Sequence, residues 1–290
     1  MRPHYRDPLP LGDPNGLPYS KGLMARALVD AGVGIEPAYL LATQLELDLE
    51  LTGAQAVELE RLEELAAAVL GEVAGARAVN RLRRLAALRA LEVPIVLLVG
   101  GATGSGKSTV ATEVAHRLGI TRVTSTDFIR QTIRAYFPAP SMPAVHISSF
   151  EAGGEEGFIE QTRSVLVGVE ASIERALTEG WSMVIEGVHL VPGLVPAEIE
   201  GAVLVQAVLR VDDIEAHRTR FYVRDASTGG VRGMAKYLDQ MNEIRSLQDC
   251  IVDRAERYGV PVIESSSVER ATASLLELVL SSTGRVEALR

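Results

Sequence analysis

Residues 101–108 read GATGSGKS, and this stretch decides the fold because it fits the phosphate-binding pattern G-x-x-x-x-G-K-[ST]. Its glycines let the backbone curl so that successive N–H groups point at phosphate oxygens. A short, apolar, β-branched run at 93–99 predicts a buried strand before the loop. From Lys107 onward the sequence predicts a helix, whose positive end adds to the attraction. The stretch therefore predicts a site for ATP and Mg²⁺.

The side chains of this loop have separate expected roles. Lys107 reaches the β- and γ-phosphates and stabilises the transferring charge, so it is a catalytic candidate. The Ser108 hydroxyl is a candidate ligand for Mg²⁺. Thr109 is placed to touch the α-phosphate, although helix propensity alone also explains a threonine there. The residues expected to contact the nucleotide are Gly101, Thr103, Gly104, Ser105, Gly106, Lys107, Ser108 and Thr109.

Short apolar segments alternate with helical patterns throughout residues 93–290. The alternation is typical of an α/β fold, and here it predicts the three-layer sandwich of P-loop NTPases with a parallel sheet of about five strands. We expect the second strand to lie next to the phosphate-loop strand. The predicted strands are 93–99, 122–125, 183–186, 203–209 and 260–263, and the predicted helices are 107–118, 127–136, 156–180, 213–222, 234–258 and 267–282.

Residues 1–92 differ in texture and predict a separate, small, mainly helical domain. Ser20 is a reasonable N-cap for its first helix. Gly71 and Gly75 are the expected helix breaks. The tract RLRRLAALRAL at 81–91 has leucines at helical spacing, so we interpret its arginines as a solvated face.

A carboxylate is expected to help the phosphate loop organise Mg²⁺, and Glu186 is the candidate. It ends the predicted strand 183–186, at the edge of the sheet where ligands bind in open α/β folds. A strand-end acid that simply faces water is the alternative. His189 lies nearby in the sequence and is interpreted as structural.

Asp127 follows the second predicted strand and faces the same edge of the sheet. It is a candidate to accept a proton from an acceptor hydroxyl or to orient that hydroxyl, and Glu186 is the other candidate for the proton. Asp127 also suits the N-cap of the next helix, so both roles stay open. Arg130 and Arg134 share one face of that helix, where they either grip an acceptor carboxylate or phosphate or form an exposed basic face.

A local basic cluster occupies residues 217–237 of an otherwise acidic chain. Its centre, 226–230, reads ASTGG and predicts a flexible loop, so the segment suits a lid that closes over the transferring phosphate. An ordinary charged surface loop is the alternative. The candidates are Arg220 and Arg224 for catalysis, Arg232 and Lys236 for substrate binding, and Arg245 as a further guanidinium fork.

The composition of the whole chain narrows its expected partners. Its 290 residues carry a formal net charge of −9, so we expect neither nucleic acid nor a membrane surface as partner. No apolar run predicts a membrane span, and no signal-peptide pattern opens the sequence. The single cysteine, Cys250, fits a reducing cytoplasm. We expect a small anionic acceptor as partner and leave a homo-oligomer open.

Five stretches together resemble the 2-phosphoglycerate kinases, which are P-loop small-molecule kinases with an N-terminal ATP-cone-like domain. The resemblance implies transfer of the γ-phosphate of ATP to the 3-hydroxyl of 2-phosphoglycerate, giving 2,3-bisphosphoglycerate and ADP. Such an acceptor carries a carboxylate and a phosphate, which suits several arginine forks. The stretches are PYSKGLMARALVDAG (18–32), VGGATGSGKSTVATEVAHRLGI (99–120), STDFIRQTIR (125–134), VIEGVHLVPG (184–193) and KYLDQMNEIRSLQDCIVDRAERYGVPVIE (236–264).

The opening of the chain departs from that family. ATP-cone domains begin with short strands around a basic–acidic–glycine turn, whereas Arg6-Asp7 here is followed by LPLGDPNG. Lys21 and Arg26 are the candidates if this domain binds regulatory ATP. Two other interpretations of the whole chain are a kinase of another small acceptor (nucleoside, nucleoside monophosphate or sugar acid) and a nucleotide-sensing regulator.

Overall fold

The computed structural model describes residues 19–54, 56–89, 91, 93–228 and 234–287, and their side chains except at 89, 224–228, 234 and 283–287. The chain divides into two compact units, Met1–Glu92 and Val93–Arg290. The unusual turn after Arg6-Asp7 lies outside the described residues. No helix in the described ranges is long and apolar enough to cross a membrane.

Within its described residues, the first unit contains four helices. Ser20 caps the first of them, as predicted, by accepting a hydrogen bond from the backbone N–H of Leu23. Gly71 ends the third helix, but the predicted break at Gly75 is wrong, because the fourth helix runs through it. A Cβ at Gly75 would lie 2.7 Å from the backbone of Ala66, so glycine permits the close approach of two helices. The helices are α1 Lys21–Asp30, α2 Ile35–Thr52, α3 Leu59–Leu70 and α4 Glu72–Arg89.

The basic tract on α4 is only partly a solvated face. Arg83 is exposed, as predicted. Arg81 is half-buried and donates from Nη1 to the carbonyl of Ala31 at 3.3 Å. The prediction is therefore wrong for Arg81, which ties α4 to the turn after α1.

The second unit is a five-stranded parallel sheet with helices, which confirms the predicted α/β class. The strand order is β2-β3-β1-β4-β5. The strands are β1 Ile95–Gly101, β2 Val123–Ser125, β3 Met183–Glu186, β4 Val203–Arg210 and β5 Val262–Glu264. The helices are α5 Lys107–Leu118, α6 Thr126–Tyr136, α7 Gly154–Glu179, α8 Ile214–Thr228, α9 Met234–Asp239, α10 Met241–Arg257 and α11 Val268–Glu287, with 3₁₀ turns at Pro143–His146 and Ser149–Glu151.

The predicted neighbour of the phosphate-loop strand is wrong. β3 lies next to β1, pairing Val99 with Glu186, and β2 lies outside β3 at the edge of the sheet. Burial explains this order: all four residues of β3 are buried and apolar up to Glu186, which suits an interior strand. β2 is short and partly exposed, which suits an edge. Glu186 therefore lies one strand from the phosphate loop, and the residues after β2 lie two strands away.

Apolar side chains fill the space between the sheet and its helices. Val96 and Leu98 of β1 belong to one buried cluster with α7. α5 packs against α11, and α7 packs against both α6 and α10. This frame fixes the carboxyl ends of all five strands, where ligands bind in open parallel sheets.

The predicted lid region is more helical than expected. α8 continues to Thr228, so 226–228 belong to a helix and not to the predicted flexible loop. Residues 229–233 lie outside the described part of the chain. The predicted helix 234–258 is two helices, because Gln240 separates α9 from α10.

Candidate active site

The phosphate loop connects the carboxyl end of β1 to the first turn of α5. Gly104 and Gly106 both have φ 82°, a left-handed conformation that favours glycine. A Cβ at Gly104 would also meet Phe221 at 2.7 Å and the His217 ring at 2.8 Å. The glycines are therefore required by backbone conformation and by the aromatic side chains packed against the loop.

Lys107 lies in the first turn of α5 with only 9% of its surface exposed. Its Nζ donates to the carbonyl of Ala102 at 2.7 Å, across the loop. Burial lowers the pKa of Lys107, while the charges of Glu186 and Asp127 oppose that shift. One buried ammonium group thus faces the field of the two carboxylates singled out from the sequence.

Ser108 and Glu186 are in direct contact, because the Ser108 hydroxyl donates to Glu186 Oε1 at 2.9 Å. Glu186 is 8% exposed, so the alternative of a strand-end acid facing water is wrong. A hydroxyl and a carboxylate are hard oxygen donors of the kind Mg²⁺ prefers. No group of three or more His, Cys, Asp or Glu side chains in the described ranges forms a metal cluster. The pair fits a magnesium ion that takes its remaining ligands from phosphates and water.

Asp127 lies in the first turn of α6, but it is not the N-cap. Ser125 caps the helix by accepting from the backbone N–H of Phe128 at 3.1 Å. The Asp127 side chain is 61% exposed, and its Oδ1 lies 3.5 Å from Arg130 Nη2. The capping role left open for Asp127 is therefore taken by Ser125, and its carboxylate is accessible to a ligand.

Arg130 is held in place by backbone carbonyls. Its Nη1 donates to Val145 at 3.2 Å and to Ile147 at 2.8 Å, and its side chain is only 17% exposed. The alternative interpretation, that Arg130 belongs to an exposed basic face, is therefore wrong. Arg134 donates from Nη1 to Gln131 at 3.3 Å. The Nε–H groups of both arginines are buried and have no hydrogen-bond partner among the described residues.

Arg220 contacts the phosphate loop from helix α8 and is not part of a mobile loop. Its Nη1 donates to the carbonyl of Gly104 at 3.2 Å, and its Nη2 donates to the carbonyl of Ser265. Ser265 in turn donates to the carbonyl of Ser105 at 2.7 Å. Arg220 therefore joins α8, the phosphate loop and the turn after β5.

The other predicted lid residues have different outcomes. The side chain of Arg224 and the whole of Arg232 lie outside the described residues. Lys236 pairs with Glu151 at 2.8 Å and donates to Ser148 at 3.2 Å. Arg245 donates to the carbonyl of Asp212 at 3.2 Å and to that of Val211, so it holds backbone and is not a free fork.

An aromatic stack, absent from our sequence predictions, runs from the phosphate loop to the segment before α7. His217 donates from Nε2 to the carbonyl of Thr103 at 2.8 Å and stacks on Phe221. Phe221 lies parallel to Tyr237 with ring centroids 5.1 Å apart, and Tyr237 contacts Phe150 at 5.8 Å. The spacing of four residues between His217 and Phe221 was the one sequence signal for it.

A groove of about 710 Å³ opens beside the loop, between α5 and α11. Ser108 and Thr109 form its end nearest the phosphate loop, and Val268 and Glu269 line the opposite side. This is the space next to the loop in which the remainder of a nucleotide could lie.

Relatives whose sequences match most of this chain share one name. A protein named 2-phosphoglycerate kinase from Pyrococcus furiosus is 34% identical over 279 residues, covering 92% of this chain and 91% of its own length. One of the same name from Thermococcus kodakarensis is 36% identical over 274 residues, covering 90% and 92%. A solved shikimate kinase from Acinetobacter baumannii, in complex with shikimate, has a TM-score of 0.41 at 19% identity, covering 67% of this chain and 97% of its own. No family model matches the chain.

Proposed function

The chain belongs to the family of 2-phosphoglycerate kinases, and we propose that it transfers the γ-phosphate of ATP to the 3-hydroxyl of 2-phosphoglycerate, giving 2,3-bisphosphoglycerate and ADP. The observation that carries the proposal is the meeting of Lys107 and the Ser108–Glu186 pair with the Asp127–Arg130 pair at one edge of the sheet. The first group suits a triphosphate, and the second suits a hydroxylated anion.

On the nucleotide side, the backbone N–H groups of the loop and the ammonium of Lys107 hold the phosphates. Ser108 and Glu186 are the residues that would hold Mg²⁺, which neutralises charge on the phosphates when bound. The groove beyond Thr109 would take the nucleoside. Arg220 keeps the loop in shape through the Gly104 carbonyl.

On the acceptor side, Asp127 is the better candidate for the acceptor proton. Glu186 is buried and accepts the Ser108 hydroxyl, whereas the Asp127 carboxylate is exposed. It would orient the 3-hydroxyl and take its proton. Arg130 and Arg134 each offer a buried Nε–H with no partner among the described residues, which supports them as ligands of the carboxylate or phosphate of the acceptor.

The remaining predictions keep that status. Arg224 and Arg232 are proposed to close over the transferring phosphate, and Lys236 is proposed to contact the acceptor after leaving Glu151. A cytoplasmic location stays a prediction. For the first unit, Lys21 pairs with Glu46 at 2.7 Å, so a regulatory nucleotide would have to displace that contact.

The proposal is tested by following ADP release with 2-phosphoglycerate, 3-phosphoglycerate, a nucleoside and gluconate as parallel acceptors. We expect saturable turnover with 2-phosphoglycerate that exceeds the rate with each other acceptor. Turnover with the nucleoside and none with 2-phosphoglycerate would move the assignment to another small acceptor. Slow ADP release that no acceptor accelerates would favour a nucleotide sensor.

A further inference from the structure

His189 is a buried histidine whose two ring nitrogens are both hydrogen-bonded. It has no exposed surface. Its Nδ1 lies 2.9 Å from Thr126 Oγ1, and its Nε2 lies 2.9 Å from Gln161 Oε1. Gly187 leaves room for the first contact, because a Cβ there would overlap the Thr126 hydroxyl.

The direction of each hydrogen bond follows from Gln161. Its amide Nε2 donates to the carbonyls of Ala144 at 2.6 Å and Ile147 at 3.1 Å, so its Oε1 must face the histidine. His189 therefore donates from Nε2, and its unprotonated Nδ1 accepts the Thr126 hydroxyl. Burial lowers the pKa of His189 to about 4, which agrees with a neutral ring near pH 7.

This chain of hydrogen bonds joins the elements that carry the proposed site. At one end, Thr126 precedes Asp127 at the start of α6. At the other end, Gln161 of α7 holds the segment 143–147, which consists of a 3₁₀ turn and the residue after it, and Arg130 contacts the same segment through Val145 and Ile147. His189 itself follows Glu186 by three residues in the turn after β3.

We infer that His189 is a positioning residue, which fixes Asp127 through Thr126 and fixes the acceptor-side segment 143–147 through Gln161. The inference rests on the proposed function, because it assigns these two elements to acceptor binding. His189 is not a catalytic residue, since both ring nitrogens are hydrogen-bonded to protein side chains and the residue has no exposed surface. The two hydrogen bonds of His189 have different consequences. The bond to Thr126 governs kcat, and the bond to Gln161 governs the affinity for the acceptor.

Two substitutions of His189, each of which keeps one of its two hydrogen bonds, separate these consequences. His189→Asn keeps an acceptor near the position of Nδ1 for Thr126 and loses the bond to Gln161, whereas His189→Gln keeps a donor for Gln161 and loses the bond to Thr126. Gln161→Leu removes the second half from the other side. Gln248→Leu is the matched control, because Gln248 is also buried and makes two hydrogen bonds, both to the backbone of Val211.

The experiment measures kcat, the KM for each substrate and Tm of the full chain and these variants. We expect His189→Asn and Gln161→Leu to raise the KM for 2-phosphoglycerate roughly five- to tenfold with the KM for ATP changed less than about twofold. His189→Gln should instead lower kcat. Gln248→Leu should lower Tm without separating the two KM values. An unchanged acceptor KM in both His189→Asn and Gln161→Leu, or equal rises in both KM values, would overturn the inference.

A second readout keeps the inference apart from the proposed function. Hydrogen exchange of the backbone amides of residues 144–147 should accelerate in His189→Asn and Gln161→Leu and stay at the parent rate in Gln248→Leu. If ADP release by the parent protein does not depend on 2-phosphoglycerate, the proposed function fails. The exchange pattern still decides whether His189 and Gln161 hold the segment 143–147 in place. Unchanged exchange in all three variants would overturn the inference.

Discussion

The two halves of the candidate site are built in different ways. The nucleotide half, residues 101–108 with Glu186, consists of consecutive backbone and one neighbouring strand. The acceptor half, Asp127 and Arg130 with the segment 143–147, is assembled by side chains from α6, α7 and the turn after β3. The comparison teaches that the nucleotide half has a local sequence motif, although distant residues such as Glu186 and Arg220 also contact it. The acceptor half has no such motif and takes its shape from side chains on three separate elements.

The largest effect is expected in the nucleotide half, from Lys107→Ala. Removing the buried ammonium group should lower turnover by about a thousandfold or more, because charge stabilisation dominates phosphoryl transfer. Circular dichroism should show an unchanged fold. Arg175→Ala is the control, since Arg175 is an exposed residue of α7 that pairs with Glu179 and lies over the ring of Trp181, away from the loop. Near-parent turnover in Lys107→Ala would remove this lysine from the mechanism.

The next effect belongs to the acceptor half, from Asp127→Asn. The amide keeps the shape but loses the base, so kcat should fall by about a hundredfold while ATP affinity stays at the parent value. Steady-state rates and calorimetric titration with a non-hydrolysable ATP analogue measure the two quantities. Loss of nucleotide binding with unaffected kcat would place Asp127 in the nucleotide half and erase the distinction.

The nucleotide half was predictable from the sequence because its signal is local. Glycines at fixed spacing, a lysine and a hydroxyl residue specify the loop without knowledge of distant contacts. The start and end of α5 and the strand β3 were predicted to the residue. The strand order was not predicted correctly, because it depends on which strands bury both faces. The predicted order had β2 beside β1, whereas β3 lies between them.

The acceptor half was only partly predictable. Asp127, Arg130 and Arg134 were singled out as candidates because charged residues follow a strand, yet Gln161 and Thr126 gave no signal in the sequence. Their contacts join residues up to 63 positions apart. Arg220 was similarly assigned to a moving lid from its local charge, whereas its partners are carbonyls 116 and 45 positions away.

Arg220→Ala tests how far the nucleotide half depends on a residue that is distant in the sequence. Loss of the bonds to Gly104 and Ser265 should lower the free energy of unfolding by about 1–3 kcal/mol and raise the KM for ATP roughly tenfold. Thermal denaturation and steady-state kinetics measure both. Slower chemistry with no change in stability would return Arg220 to the role of a lid residue.

The last prediction is a pH dependence of stability that belongs to the acceptor half. Burial lowers the pKa of His189 to about 4, below its ordinary value near 6.5, so between these values the unfolded chain binds the proton and the folded chain does not. The contribution of His189 to stability is therefore fully present above pH 6.5 and should fall by about 1 kcal/mol per pH unit as the pH drops towards 4. His217, whose pKa burial also lowers to about 4, adds to the same trend.

Urea denaturation between pH 7 and 4 checks this dependence. His189→Gln should lose stability less steeply than the parent, because its side chain cannot take up a proton. His116→Gln, at an exposed position on α5, is the control and should follow the parent slope. Equal slopes for His189→Gln and the parent would show that His189 does not stay neutral in the folded chain.

The most direct test of the central claim is ³¹P NMR of the full chain with ATP, Mg²⁺ and 2-phosphoglycerate. If the protein transfers the γ-phosphate of ATP to this acceptor, the ATP γ signal should disappear and two phosphomonoester signals from one product should grow. Inorganic phosphate should not accumulate. Inorganic phosphate and ADP as the only products, with 2-phosphoglycerate unchanged, would contradict it.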